Sequence, residues 1–153
     1  MTKRKLAASV NRLSQQYAYT SIQMHEAIAR KAGFTGTDHK YLGFLIQKGP
    51  MTAGELSVLT GLTTGAVTGL IDRFEKKKLV KREFDKDDRR KIIIIPDTAK
   101  ITALLEPFYK DFRDNTHQFF ELFSAADLQT LEKYFQGSME IMKKKTESIN
   151  QKK

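Results

Sequence analysis

Cysteine and tryptophan are absent from this 153-residue chain, and proline and histidine occur only three times each. Without cysteine there is neither a disulfide framework nor a thiol for an oxidant to switch. His25, His39 and His117 are too scattered for a zinc spacing. Glu26 and Asp38 are neighbours that a fold can bring into a site with them, but ordinary polar or core histidines are the preferred reading, so no metal is assigned. No cofactor is assigned either. There is no long apolar run to span a bilayer and no export leader pattern, so a cytoplasmic protein without a membrane partner is expected. The chain also lacks a nucleophile-and-base pair, a phosphate-cradling glycine loop and a carboxylate dyad, since Asp87 and Asp88 sit on a charged turn. An enzyme is not expected. Repeats and low-complexity segments are missing as well.

Acidic residues are outnumbered, 18 against 27 basic ones, giving a net charge of +9 and a pI near 9.7. That balance favours a polyanionic partner, nucleic acid before membrane. A chain of this length with 40% hydrophobic content can bury one core, and a single domain is expected.

The segment from Thr52 to Pro96 carries the strongest pattern. Between Ala53 and Asp72 the apolar positions Leu56, Leu59, Leu62, Val67, Leu70 and Ile71 recur with helical period on both sides of Gly61, as in two short helices around a tight turn. Thr52 and Glu55 form a capping box that sets the first helix start. Gly61 supplies the left-handed turn residue. Ser57 is small where the helices approach, and Thr63 can cap the second helix. Next, Val80 to Phe84 and Lys91 to Ile95 are rich in β-formers and flank Asp85-Lys-Asp-Asp-Arg-Arg90, which predicts a hairpin with a charged tip. Lys86, Arg89 and Arg90 on that tip can reach phosphates or a narrow minor groove. The alternative is a solvated loop whose aspartates and arginines pair only with each other. From Thr63 to Ile95 there are ten basic and six acidic residues, a net +4. Together these features predict a winged helix-turn-helix that binds duplex DNA.

The run from Leu56 to Arg82 and the Asp88-Arg89-Arg90 wing resemble the multiple antibiotic resistance regulator (MarR) family of bacterial transcription factors, and length and element order extend the likeness to nearly the whole chain. The resemblance implies a mainly α fold with a small β-wing. It places Thr63, Thr64, Thr68 and Arg73 on the recognition helix, Asp88 as the brace of the wing and Arg90 in the minor groove. Gly65, Lys76, Lys86, Arg89 and Lys91 complete the expected DNA-binding set, with Lys81 and Arg82 also available to phosphate. The likeness also implies a sequence-specific repressor on a pseudopalindromic operator, released by a small aromatic or phenolic effector. The peroxide-sensing mode of some relatives needs a cysteine that this chain lacks. Lys78 stands where the family commonly has a glycine, and a left-handed lysine costs roughly 1–2 kcal/mol, which leaves open whether the helix ends there in that conformation or is drawn differently. Pro96-Asp97 replaces the usual Leu-Thr, with Asp97 or Thr98 left to cap the next helix. Gly65 and Gly69 replace larger side chains, which leaves fewer groups to hydrogen-bond base edges and more room for the backbone to approach phosphates.

The flanks read as a dimerisation module. Leu6, Val10, Leu13, Tyr17, Met24 and Ile28 form one helical stripe. Ile101, Leu104, Leu105, Phe108, Phe112, Phe119, Phe120 and Phe123 form another, with Pro107 expected to kink or break it. Ser124 and Asp127 make a second capping box, opening a last helix with Leu128, Leu131, Phe135, Met139 and Met142 on one face. A homodimer with Leu6, Val10, Leu13, Phe123, Leu128, Leu131, Phe135 and Met139 at its interface is expected, the alternative being an intramolecular bundle. Lys3 to Lys5, Lys143 to Lys145, Lys152 and Lys153 add basic ends, and solubility is the preferred reading for the last eight residues.

The expected organisation is one domain over 1–153: a DNA-binding lobe over 38–96 and a helical dimerisation region over 1–34 plus 97–147. An effector pocket is expected where the first two helices meet the lobe, lined by Tyr17, Met24, His39, Tyr41 and Phe44, against the alternative that these residues fill core. The rival function is a winged-helix adaptor that binds a protein partner instead of DNA.

Overall fold

A computed structural model describes residues 2–151, so Met1 and the terminal Lys152 and Lys153 of the basic tail lie outside the described residues. The chain divides into two compact units, one ending at Phe108 and the other beginning at Tyr109. The first unit holds α1 (Lys3–Lys31), α2 (Gly36–Lys48), β1 (Met51–Thr52), α3 (Ala53–Thr60), α4 (Thr64–Lys76), β2 (Val80–Phe84), β3 (Ile92–Pro96) and the start of α5 (Thr98–Phe120). The second holds the rest of α5 and α6 (Ala125–Asn150).

Helix starts follow one chemical rule. Thr2, Thr35, Thr52, Thr63 and Ser124 are extended residues whose side-chain oxygens accept from the backbone N–H three positions on. Each satisfies a donor that the helix cannot, a contribution of about 1 kcal/mol. At Thr52 and Ser124 the bond is reciprocated by Glu55 and Asp127, so both expected capping boxes are present. Asp97 caps α5 by accepting from the Lys100 N–H at 2.9 Å.

Two helices end alike. At α1, Gly33 N–H donates to the Arg30 carbonyl and Phe34 N–H to Ala29, with Gly33 at φ 84°. At α4, Lys78 N–H donates to Glu75 and Leu79 N–H to Phe74, with Lys78 at φ 56°. This is the paired-bond helix end that normally wants glycine. Of the two helix ends that the sequence leaves open at Lys78, the structure has the glycine-like one: the lysine takes the left-handed conformation. Burial of both Phe74 and Leu79 closes the motif and offsets the backbone cost.

The core of the first unit gathers Ala29, Leu42, Leu45, Leu56, Val67, Leu70, Ile71, Phe74, Leu79, Ile94 and Ile101, all essentially inaccessible. Of the expected inward positions, Leu62 is half-buried against this core and Leu59 is exposed. Leu59 departs from expectation because α3 has only two turns, with Leu56 its buried residue. The antiparallel sheet has the order β1-β3-β2, with Met51 opposite Ile94 and Phe84 opposite Ile92. Strand β1 is not expected from the sequence, because two residues are too few to show a period of two. Helix α5 continues through Pro107, so the expected break does not occur.

In the second unit α6 buries no residue; Leu128, Phe135 and Met139 are exposed, and Leu131 is half-buried. Phe119 and Phe123 make an edge-to-face pair at 5.2 Å. In the first unit the N-terminal half of α1 leaves Leu6, Val10 and Leu13 exposed.

Candidate nucleic-acid interface

The helix pair is fixed from its turn outward. Thr52 N–H donates to Glu55 Oε2 at 2.7 Å and Glu55 N–H returns a bond to Thr52 Oγ1 at 3.1 Å, which holds the Glu55 carboxyl below its ordinary pKa. Gly61 takes φ 71°, ψ 8°, and its N–H donates to the Ser57 carbonyl. Ser57 does more than save space: its hydroxyl donates to the Leu62 carbonyl at 2.6 Å and locks the turn. Thr63 then starts α4, its Oγ1 accepting from the Ala66 N–H at 3.3 Å.

Val67, Leu70, Ile71 and Phe74 bury one face of α4, which leaves Thr64, Gly65, Ala66, Thr68, Asp72 and Arg73 exposed. At 100° per residue, Gly65 and Gly69 stand almost opposite the buried face. Lys76 is exposed in the last turn. Arg73 is not the free cation that its position in the sequence suggests. Its Nε and one terminal nitrogen donate to the two carboxylate oxygens of Asp38 at 2.8 and 2.9 Å, with Asp38 only 6% exposed at the start of α2. That bond holds the Asp38 carboxyl below its usual value against the opposing effect of burial. Nothing beside Asp38 along the chain signals that role. Arg82, read as available to phosphate, instead bridges Asp72 and Glu75 of α4 and ties β2 to that helix. Lys81 pairs with Glu83.

The wing loop between β2 and β3 is braced by its own aspartates. Asp85 N–H donates to the Lys91 carbonyl and Lys91 N–H to the Asp88 carbonyl, each at 2.9 Å. Asp85 Oδ1 accepts from the N–H groups of Asp87 and Asp88. Asp88 Oδ1 accepts from Arg90 twice, from the backbone N–H at 3.0 Å and from Nε at 3.1 Å. These bonds keep the Asp88 carboxyl ionised to lower pH than an ordinary aspartate. The Arg90 guanidinium also donates from a terminal nitrogen to the other Asp88 oxygen at 3.4 Å, yet the side chain stays 90% exposed to solvent. Lys86, Arg89 and Lys91 are exposed beside it.

The residues expected around an effector are placed differently from one another. Tyr41 is buried in the core, Met24, His39 and Phe44 are half-buried, and Tyr17 is exposed on α1. His39 stacks on His25 at 5.9 Å, and burial with that neighbouring imidazole lowers its pKa. Tyr41 and Phe44 tilt together at 6.3 Å. An open hollow of about 510 Å³ lies elsewhere, lined by Ala32, Phe34, Lys77, Leu79, Lys100 and Leu104 among others. There the Lys77 ammonium donates to the Gly33 carbonyl at 3.0 Å and that of Lys100 to the Lys77 carbonyl at 3.3 Å. No described helix is long and apolar enough to cross a membrane.

Comparison with known proteins adds to this geometry. A family model described as "MarR family" matches residues 32–91. The HTH-type transcriptional regulator YcgE of Bacillus subtilis (strain 168) is 31% identical over 150 residues, covering 98% of this chain and 97% of that protein. A MarR family protein from Bacillus stearothermophilus has the same fold, with a TM-score of 0.72 at 22% identity over 94% of this chain and 99% of the other. A cysteine-to-serine mutant of MarR from E. coli, solved in complex with operator DNA, aligns with a TM-score of 0.57 at 19% identity, covering 90% and 99% of the two chains.

Proposed function

Because the chain belongs to the MarR family of transcriptional regulators, we propose that it is a homodimeric, cytoplasmic repressor that binds a pseudopalindromic duplex operator and is released by a small aromatic or phenolic effector. The observation that carries this reading is the pairing of an exposed α4 face with a pre-formed wing holding Arg90 out to solvent. In this reading Thr63, Thr64, Gly65 and Thr68 meet the major groove, Arg90 enters the minor groove, and Lys76, Lys86, Arg89 and Lys91 meet phosphates. The two protomers pair through 1–34 and 97–147, and their α4 helices enter successive major grooves about 10 base pairs apart. The DNA-bound E. coli relative supports duplex DNA as the partner. An effector seated among Tyr17, Met24, His39, Tyr41 and Phe44 would act by binding the two spacings of the DNA-binding lobes unequally.

The test is binding to the DNA upstream of its own coding region, followed by polarisation across a salt series and by footprinting. Affinity is expected to fall steeply with salt, by a log–log slope of about 0.9 for each phosphate neutralised. Arg90→Ala is expected to weaken binding at least tenfold, about 1.4 kcal/mol, with the oligomeric state intact. Unchanged affinity would remove the wing from the interface, and a single footprinted half-site with one protomer bound would remove the dimeric mode. Titrating salicylate into the complex, with His39→Ala and Tyr41→Ala as controls, tests the effector.

A further inference from the structure

Base recognition in the major groove depends on what the entering helix can offer. Guanine is held best by a bidentate arginine or lysine and adenine by asparagine or glutamine, whereas the thymine C5-methyl is met by the apolar parts of alanine and threonine. From Thr64 to Ile71, α4 contains no arginine, lysine, asparagine or glutamine. The arginines nearest the exposed face are both held by carboxylates, Arg73 by Asp38 and Arg82 by Asp72 and Glu75.

The hydroxyls are largely committed too. Thr63 Oγ1 caps the helix at Ala66 N–H, and the Thr68 hydroxyl donates to the Thr64 carbonyl at 3.0 Å. What remains outward besides the Thr64 hydroxyl is a set of methyl groups, on Thr64, Ala66 and Thr68. Such short side chains reach base edges only if the backbone comes close. Gly65 and Gly69 supply that approach, for they carry no Cβ where α4 faces away from the core. A Cβ built on Gly65 meets nothing within 4 Å, so packing within the protein does not account for that glycine.

We infer that this regulator reads its operator through thymine methyl groups, contacted by the methyls of Thr64, Ala66 and Thr68 on a closely seated α4. The inference rests on the DNA-binding reading above and names the base chemistry it would recognise. Each half-site then carries thymine opposite this face, and guanine N7 and O6 are not the groups that decide affinity there.

The experiment starts from duplexes recovered by in vitro selection on the full-length protein from a randomised pool. Recovery of no sequence would count against the DNA-binding reading itself, separately from this inference. On a recovered site, each half-site thymine is replaced by deoxyuridine, which removes only the methyl. Affinity is expected to fall about fourfold for each contacted methyl, the scale of one buried CH₂-sized group, and tenfold or more when both half-sites are changed. Replacing half-site guanines by 7-deazaguanine is expected to leave affinity within twofold. The paired variant Thr64→Ser, Thr68→Ser keeps both hydroxyls, including the bond to the Thr64 carbonyl, and removes two of the three protein methyls, leaving that of Ala66. It is expected to lose the penalty for uracil at the thymines facing these two residues, so that only the Ala66 contact, about fourfold, still separates the thymine and uracil duplexes, with unchanged melting temperature. Full affinity for the uracil duplex, or a loss concentrated in the 7-deazaguanine duplex, would overturn the inference. Undiminished thymine preference in the serine variant would overturn the assignment to Thr64 and Thr68.

Discussion

Lys78 is the residue at which local preference and native structure disagree most. Its φ of 56° is the single positive value among described non-glycine residues, and a Cβ in that region costs roughly 1–2 kcal/mol. Its backbone N–H bond to Glu75, and the Leu79 bond to Phe74 beside it, need only the backbone. Lys78→Gly is therefore expected to stabilise the protein by about 1 kcal/mol and to raise the melting temperature by a few degrees in a thermal scan. The mirror experiment is Gly61→Ala, where φ is 71° and alanine is expected to cost about 1 kcal/mol. If both substitutions were neutral, the left-handed assignments would be wrong. At this scale the sequence is informative wherever both partners lie within a few residues. Thr52 with Glu55, Ser124 with Asp127 and Gly61 all stand where their spacing puts them. The pairing of Arg73 is not legible in the same way, because its partner Asp38 lies 35 positions away and only folding brings them together.

Between elements, the Asp38–Arg73 pair joins the start of α2 to the last turn of α4. Breaking a fully buried pair costs more, but Arg73 is 54% exposed and can turn to water once freed. Asp38→Asn is therefore expected to destabilise by about 1–2 kcal/mol, the scale of hydrogen bonds to a charged group after screening. The pH dependence has a definite sign. Asp38 is depressed in the folded state, so its contribution is fully present above the ordinary aspartate value near 3.9 and is lost as pH falls through the lowered folded value. Urea titrations at successive pH values should show wild type and Asp38→Asn converging as pH drops through that window. A constant gap between them would mean that the pair is not what Asp38 supplies. Helices α3 and α4 are legible because their apolar period repeats, and the strands β2 and β3 because β-formers flank a charged turn. Strand β1 is not, being two residues that pair with Ile93 and Ile94. Nor does the apolar stripe around Pro107 reveal whether α5 tolerates the lost backbone bond.

For the molecule as a whole, the unanswered surface is apolar. Leu6, Val10 and Leu13 in one unit and Phe135, Met139, Ile141 and Met142 in the other are exposed in the single chain. In the proposed dimer they are covered. Phe135→Glu is expected to shift sedimentation from dimer toward monomer and to weaken operator binding at least tenfold, because two half-sites are no longer held together. A variant that remains fully dimeric would take Phe135 out of the interface. Sequence periodicity identifies these faces, yet it specifies only that they must be covered. Which residue meets which depends on the shape of two surfaces, and that information is not carried by spacing along one chain.

The wing also says something about time. Its loop is closed by Asp85, Asp88 and Lys91 before any duplex arrives, and Arg90 already rests on Asp88 in one orientation. A segment that is folded in advance has little freedom left to lose on contact. In the proposed complex, encounter would then be governed by diffusion and by the pull of a positive protein toward a polyanion, with no slow ordering step between collision and seating. The wing amides of Asp87, Asp88, Arg90 and Lys91 would exchange slowly with solvent deuterium even in the free protein, and the arrival of DNA would alter that protection only slightly.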